Sequence, residues 1–98
     1  MATATTNREG EILYIRGELD FDSVATLWST TESLFATAPP FRIDLSGISR
    51  ANSAGVALLV GWFGQTRRRG QALVFVNVPV QMQAIIAIAG LDTVLPLV

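Results

Sequence analysis

Two short stretches of this sequence hold side chains whose types and spacing could do chemistry. The first is Arg50-Ala51-Asn52-Ser53-Ala54-Gly55, where a hydroxyl stands between a guanidinium, a carboxamide and two small residues. The second is Gly17-Glu18-Leu19-Asp20-Phe21-Asp22, an acidic cluster in which two aspartates lie two positions apart. If the fold brings Asp20 and Asp22 near Ser53, a carboxylate and a hydroxyl could form a general-base pair. The alternative is that both stretches are helix entries, with Asp, Asn and Ser accepting hydrogen bonds from the first free backbone N–H groups. Composition favours the second reading. The chain has no His and no Cys, and all seven of its basic residues are Arg, against eight acidic residues. Without these residue types there is no Ser-His-Asp triad, thiol nucleophile, zinc cage, Schiff base or P-loop lysine. No catalytic residue, metal or cofactor is expected, and the acidic cluster has no electrophilic partner to work with.

The elements that must position these residues can be read from periodicity. Glu11 to Asp20 alternates as a strand, and Ala4 to Arg8 can pair with it through a turn at Glu9-Gly10, making an antiparallel edge hairpin. Val24, Leu27, Trp28, Thr31, Leu34 and Phe35 then fall at helical spacing, with Asp22 or Ser23 as the expected N-cap and Ala38-Pro39-Pro40 as the stop. Phe41 to Leu45 is a second strand, and the polar run Ser46 to Ser53 reads as a loop leading to a helix over Ala54–Arg69. Gly70 closes that helix. Arg67, Arg68 and Arg69 occupy its last turn, where the helix dipole favours cations and where an acidic partner could also dock. Ala72 to Val78 is a continuous apolar strand suited to a parallel sheet, and a helix from Pro79 to Ala89 ends at Gly90. The apolar tail from Leu91 packs back on the body.

This order predicts one α/β domain over residues 1–98, with a mixed, mostly parallel sheet, an antiparallel edge strand and about three to four helices. Both candidate stretches then fall on the C-terminal edge of the sheet, where ligands and partners of α/β folds gather. On the second helix, Val56, Leu59, Val60 and Phe63 form the expected core stripe. Leu58 and Trp62 fall outside it. They either cover the sheet edge within the domain or meet a partner, and an exposed Trp62 flank left without one would pair two copies about a two-fold axis. Ala54 and Gly55 would let a partner's backbone or a phosphate come close.

The net charge of −1 gives no field for nucleic acid or an anionic membrane. Met1 to Gly10 has no basic region leading into an apolar one, so no targeting segment is expected. Gly70 to Leu91 carries no charge, but Pro79 and its Asn and Gln residues divide it into a strand and a helix rather than a membrane span.

Ile43-Asp44-Leu45-Ser46-Gly47-Ile48, followed by Asn52-Ser53-Ala54-Gly55-Val56, resembles the signature of STAS domains, in which a strand ending D-[LV]-S precedes D-[ST]-[SAG]-G-[LV] at a helix start. Gly17-Glu18-Leu19-Asp20 with Asp22 and Leu27-Trp28, Ser49-Arg50 before the turn, Val76-Asn77-Val78-Pro79 with Gln81, and Leu95-Pro96-Leu97 are similar to MlaB-type (toluene-tolerance) subunits of the Mla phospholipid ABC transporter. The resemblance spans nearly the whole chain. It implies a STAS fold and a non-catalytic cytoplasmic accessory subunit that sits on the transporter's ATPase at the inner face of the inner membrane, in a system that maintains outer-membrane lipid asymmetry. The docking residues implied are Arg50, Asn52, Ser53, Ala54 and Gly55, with Leu58 and Trp62 extending the patch and Asp20 and Asp22 on its rim. The alternative within the family is an anti-sigma-factor antagonist that meets an anti-sigma factor or serine kinase and is switched by phosphorylation of Ser53. Asn52 stands where the family usually carries Asp; it keeps the capping geometry and removes the charge beside the hydroxyl.

Overall fold

The computed structural model describes residues 3–98. Four strands form one sheet in the order β1 (Ala4–Glu9), β2 (Ile12–Leu19), β3 (Arg42–Ala51), β4 (Val74–Val76). The β1–β2 pair is antiparallel and the other two pairs are parallel. Three helices complete the chain: α1 (Phe21–Thr37), α2 (Ser53–Arg68) and α3 (Val80–Ile88). The predicted mixed sheet with an antiparallel edge strand is therefore present.

The core follows from period-2 alternation in the strands. Leu13, Ile15 and Leu19 of β2, Ile43 and Leu45 of β3 and Phe75 of β4 are buried, and they pack with Leu27 and Phe35 of α1, Leu59 and Trp62 of α2, and Met82 and Ile86 of α3. Ile12, Tyr14, Val74 and Val76, which alternate with these, are half-buried. The tail returns as expected: Leu95 is buried, and Leu97 bridges Phe75 in parallel at the outer edge of β4. Gly70 and Gly90 follow α2 and α3 with φ of +70° and +72°, the left-handed conformation that ends a helix.

Two elements differ from the sequence reading. β4 is shorter than the apolar run Ala72 to Val78. β3 is longer, continuing through Ser46 to Ala51 where a loop was expected. Between the pairs Tyr14↔Asp44 and Arg16↔Gly47, β2 advances by two residues while β3 advances by three; between Gly17↔Ile48 and Glu18↔Arg50 it advances by one against two. Each step is a bulge that inserts one residue into β3. The extra residues break the alternation, so Leu45 and Ile48 both point inward despite their odd spacing. Gly47 is required there, because a Cβ would lie 2.8 Å from Arg16 Cγ and 3.0 Å from the Ile15 carbonyl oxygen.

Two arginines serve the end of α1. Arg8 donates to the Ala38 carbonyl, and Arg69 donates to the Ala36 carbonyl at 2.6 Å. Arg69 thus caps the neighbouring helix, the structural use of a cation at a helix C-terminus.

Candidate functional site

Both candidate stretches meet at the C-terminal edge of the sheet. Asp20, directly after β2, is the N-cap of α1, and Asn52, directly after β3, is the N-cap of α2. Asp20 rather than Asp22 or Ser23 begins the helix. Its carboxylate accepts from the Ser23 N–H at 2.9 Å, while the Ser23 hydroxyl accepts from the Asp20 N–H at 3.0 Å, a reciprocal capping box. The same hydroxyl donates to the Glu18 carbonyl at 2.7 Å, fixing the helix against the strand it leaves. The Asn52 side-chain oxygen accepts from the Ala54 N–H at 2.8 Å, and the Asn52 N–H donates to the Leu19 carbonyl at 3.1 Å, tying the two turns together. Between them lies a polar cleft of about 320 Å³ lined by Glu18, Asp20, Arg50, Asn52 and Gln81, the last contributed by α3.

The structure sorts the predicted residues into an outer and an inner set. Arg50, Asn52, Ser53 and Asp22 are exposed, and Asp20 is half-buried at the cleft. Ser53 is the first residue of α2, beside the free N–H groups of that helix start. Ala54 and Gly55 turn inward. A Cβ on Gly55 would lie 3.0 Å from Leu19 Cβ and 3.4 Å from Met82 Cε, so this glycine admits the protein's own core to the first turn and not a partner.

Leu58 and Trp62, for which burial within the domain and contact with a partner were both open, are buried, at 2% and 0% exposure, and so are not part of an exposed docking patch. Val56 and Leu59 of the predicted stripe are buried, but the core face of α2 also takes in Gly55, Leu58, Trp62 and Thr66, while Val60 is exposed and Phe63 half-buried. The stripe is rotated from the predicted one because α2 is packed from two sides, by the sheet and by α1, and the wider apolar arc includes the flank. Trp62 stacks on Phe35 with ring centroids 5.3 Å apart, and its indole N–H donates to Thr31 Oγ1 at 3.1 Å. With Trp62 enclosed, the basis for a two-fold pairing through its flank is gone.

A different tryptophan is at the surface. Trp28, one of the residues at helical spacing in α1, is 38% exposed, and Phe21 at the start of the same helix is 73% exposed. With Val24, Ala25, Ala57, Leu58 and Gly61 they line an apolar groove of about 340 Å³ between α1 and α2. Leu58 takes part from its inner end. The signal was present in the sequence: Phe21, Val24, Ala25 and Trp28 repeat at i, i+3, i+4 and i+7, a second apolar stripe beside the buried one at Ser23, Leu27, Thr31 and Phe35.

Asp44, on β3, is separate from this site. Partial burial pushes its carboxyl up, but hydrogen bonds from the Ser46 backbone and hydroxyl and from the Asn77 amide outweigh it and hold the group below its ordinary value. Asn77 reaches it at 3.1 Å from a left-handed backbone position, φ +56°. Among the described residues, no cluster of three or more His, Cys, Asp or Glu is placed to hold a metal ion, and no helix is long and apolar enough to cross a membrane.

Comparison with known proteins adds a family and a set of folds. The family model described as "Mlab, STAS domain" matches residues 2–98. Among solved structures, an anti-sigma factor antagonist from Mycobacterium paratuberculosis superposes with a TM-score of 0.79 at 22% identity, over 99% of this chain and 85% of that one. An anti-sigma-factor antagonist (STAS) domain protein from Planctomyces limnophilus gives 0.72 at 22% identity, over 100% and 90%. The phosphorylated form of the Bacillus cell fate determinant SpoIIAA gives 0.70 at 19% identity, over 97% and 90%. At these identities the likeness is one of fold. No curated protein matched.

Proposed function

The chain belongs to the STAS domain family, MlaB type, and on that premise we propose that it is a non-catalytic accessory subunit that binds and supports the ATPase of an Mla-type phospholipid ABC transporter. STAS domains mediate protein–protein contacts, and two surfaces of different character, adjoining in the chain at Asp20-Phe21, suit this role. The capped turn with exposed Arg50, Asn52 and Ser53 offers hydrogen bonds. The groove between α1 and α2, which begins at Phe21 just after the Asp20 cap, offers apolar area. The observation that carries the reading is the exposure of Phe21 and Trp28 beside that turn. Large aromatic side chains left at a surface with polar residues around them are the usual anchors of a protein interface.

The subunit acts in the cytoplasm and meets the inner membrane through the transporter, since a net charge of −1 gives it no overall attraction to an anionic membrane. Its contribution is to hold the ATPase in working shape within a system that maintains outer-membrane lipid asymmetry, with no chemistry of its own. Ser53→Arg places a long charged side chain at the exposed start of α2. The variant is expected to fold, as read by circular dichroism, and to lose co-purification with the ATPase of the Mla-type transporter. Undiminished pull-down would overturn the docking model.

A second reading has its own observation. Ser53 is exposed at a helix start, where a phosphoryl group would be stabilised by free N–H groups and lie near Arg50. In this reading the chain is an anti-sigma-factor antagonist switched by phosphorylation at Ser53, and its neighbouring genes encode a serine kinase and a sigma factor instead of a permease and a lipid-binding protein.

A further inference from the structure

We infer that Gly61 is a positioning residue for the docking surface, acting as the seat that lays the Trp28 ring against α2; this rests on the docking reading above. Glycine is disfavoured inside a helix; of the three in α2, Gly64 faces open space, while the other two have close neighbours. Gly55 has them in the core, where Leu19 and Met82 press on it. Gly61 has them at the surface. A Cβ there would lie 2.6 Å from Trp28 Cζ3, 3.0 Å from Cη2 and 3.5 Å from Cε3, so the outer edge of the indole rests directly on the helix backbone.

Trp28 is 38% exposed, so the core does not lock its ring; what sets the ring's depth is the surface it lies on. With only hydrogen at residue 61, the indole sinks into the α2 surface beside Ala57 and Leu58 and becomes one wall of the groove. The close atoms are the far end of a side chain, not backbone. A methyl group at residue 61 therefore displaces the ring while leaving the helices where they are. A Trp held in one orientation before binding is a better anchor than one that must be ordered on contact, because the ordering cost has already been met in folding.

The test uses the full chain and the ATPase of the Mla-type transporter. Gly61→Ala is expected to keep the far-UV circular dichroism and thermal midpoint of the wild type. Acrylamide quenching of its tryptophan emission should increase, because Trp28 lifts from its seat while the buried Trp62 stays unquenched as an internal reference. Its affinity for the ATPase should fall about tenfold, the scale of a displaced tryptophan anchor. Trp28→Ala should lose at least as much, and Gly61→Ala should add nothing in the Trp28→Ala background. Unchanged quenching in Gly61→Ala, or an equal additional loss in the Trp28→Ala background, would overturn the inference. A wild-type chain that fails to bind the ATPase would instead sink the docking reading. The two failures are told apart because quenching needs no partner.

Discussion

The two tryptophans exchange the roles that their helical spacing suggests. Trp62 lies outside the predicted core stripe of α2 yet is fully enclosed, and Trp28 lies on the apolar repeat of α1 yet is partly open. The indole N–H of Trp62 explains part of this. A buried N–H needs an acceptor, and Thr31 supplies one from the facing helix, its own hydroxyl donating in turn to the Leu27 carbonyl at 2.7 Å. Thr31 sits at a core position of α1 for this reason. Thr31→Val keeps the shape and leaves the indole N–H without a partner, at a cost of about 1–3 kcal/mol. The expected outcome is a lower thermal midpoint together with a changed Trp62 emission. An unchanged midpoint would show that the pair contributes nothing net. Nothing in the sequence marks Thr31 and Trp62 as partners, because they are 31 positions apart and their contact exists only once α1 and α2 cross.

At the scale of elements, the local signals were most legible where a few adjacent residues close their own hydrogen bonds. Gly70 and Gly90 as helix ends and the β1–β2 hairpin follow from chemistry within a few positions, and so does the cap of α2 to within one residue, with Asn52 taking the place that Asn52 or Ser53 could fill. The start of α1 was read too late because Asp20, Asp22 and Ser23 are all good caps. The capping box selects Asp20, since only from there does Ser23 reach back to close it. Asp20→Ala removes the carboxylate half of the box, leaving the Ser23 hydroxyl to accept from the residue-20 N–H, and should lower stability by about 1 kcal/mol. Urea denaturation would read this as a lower midpoint with an unchanged slope, while a midpoint equal to the wild type would refute the role. The length of β3 was not legible. Its bulges depend on the partner strand: Ser46, Gly47 and Ser49 look like loop residues until β2 supplies the ladder that they join.

For the whole molecule, the decisive arrangement is that β2 and β3 are parallel neighbours whose C-terminal ends feed α1 and α2 side by side. That brings Asp20 and Asn52 to one cleft and opens the groove between the two helices. The Asp44–Asn77 hydrogen bond joins β3 to the segment after β4 and gives this assembly an acid-sensitive tie. Asp44 is held below its ordinary value of 3.8, so its contribution to stability is present above that value and is lost as pH falls through 3.8 towards the lower folded-state value. Asp44→Asn should therefore be less stable than the wild type at neutral pH, and the gap should narrow as the pH is lowered past 3.8. Thermal midpoints measured across this range check it; a gap that stays constant would assign the effect to something other than ionisation.

The sequence by itself determined the element order, the mixed sheet and the family, because these rest on local hydrogen bonding, short-range periodicity and motif spacing. It also determined what is missing, since a chain without His, Cys or Lys lacks that chemistry in any fold. The tertiary structure decided which apolar residues face outward. Ala54, Gly55, Leu58 and Trp62 were drawn into the core, and Phe21 and Trp28 were left at the surface. Helical periodicity gives the relative angle of two side chains but not the directions from which neighbours cover the helix. For α1 and α2 those directions are set by each other and by the sheet beneath them.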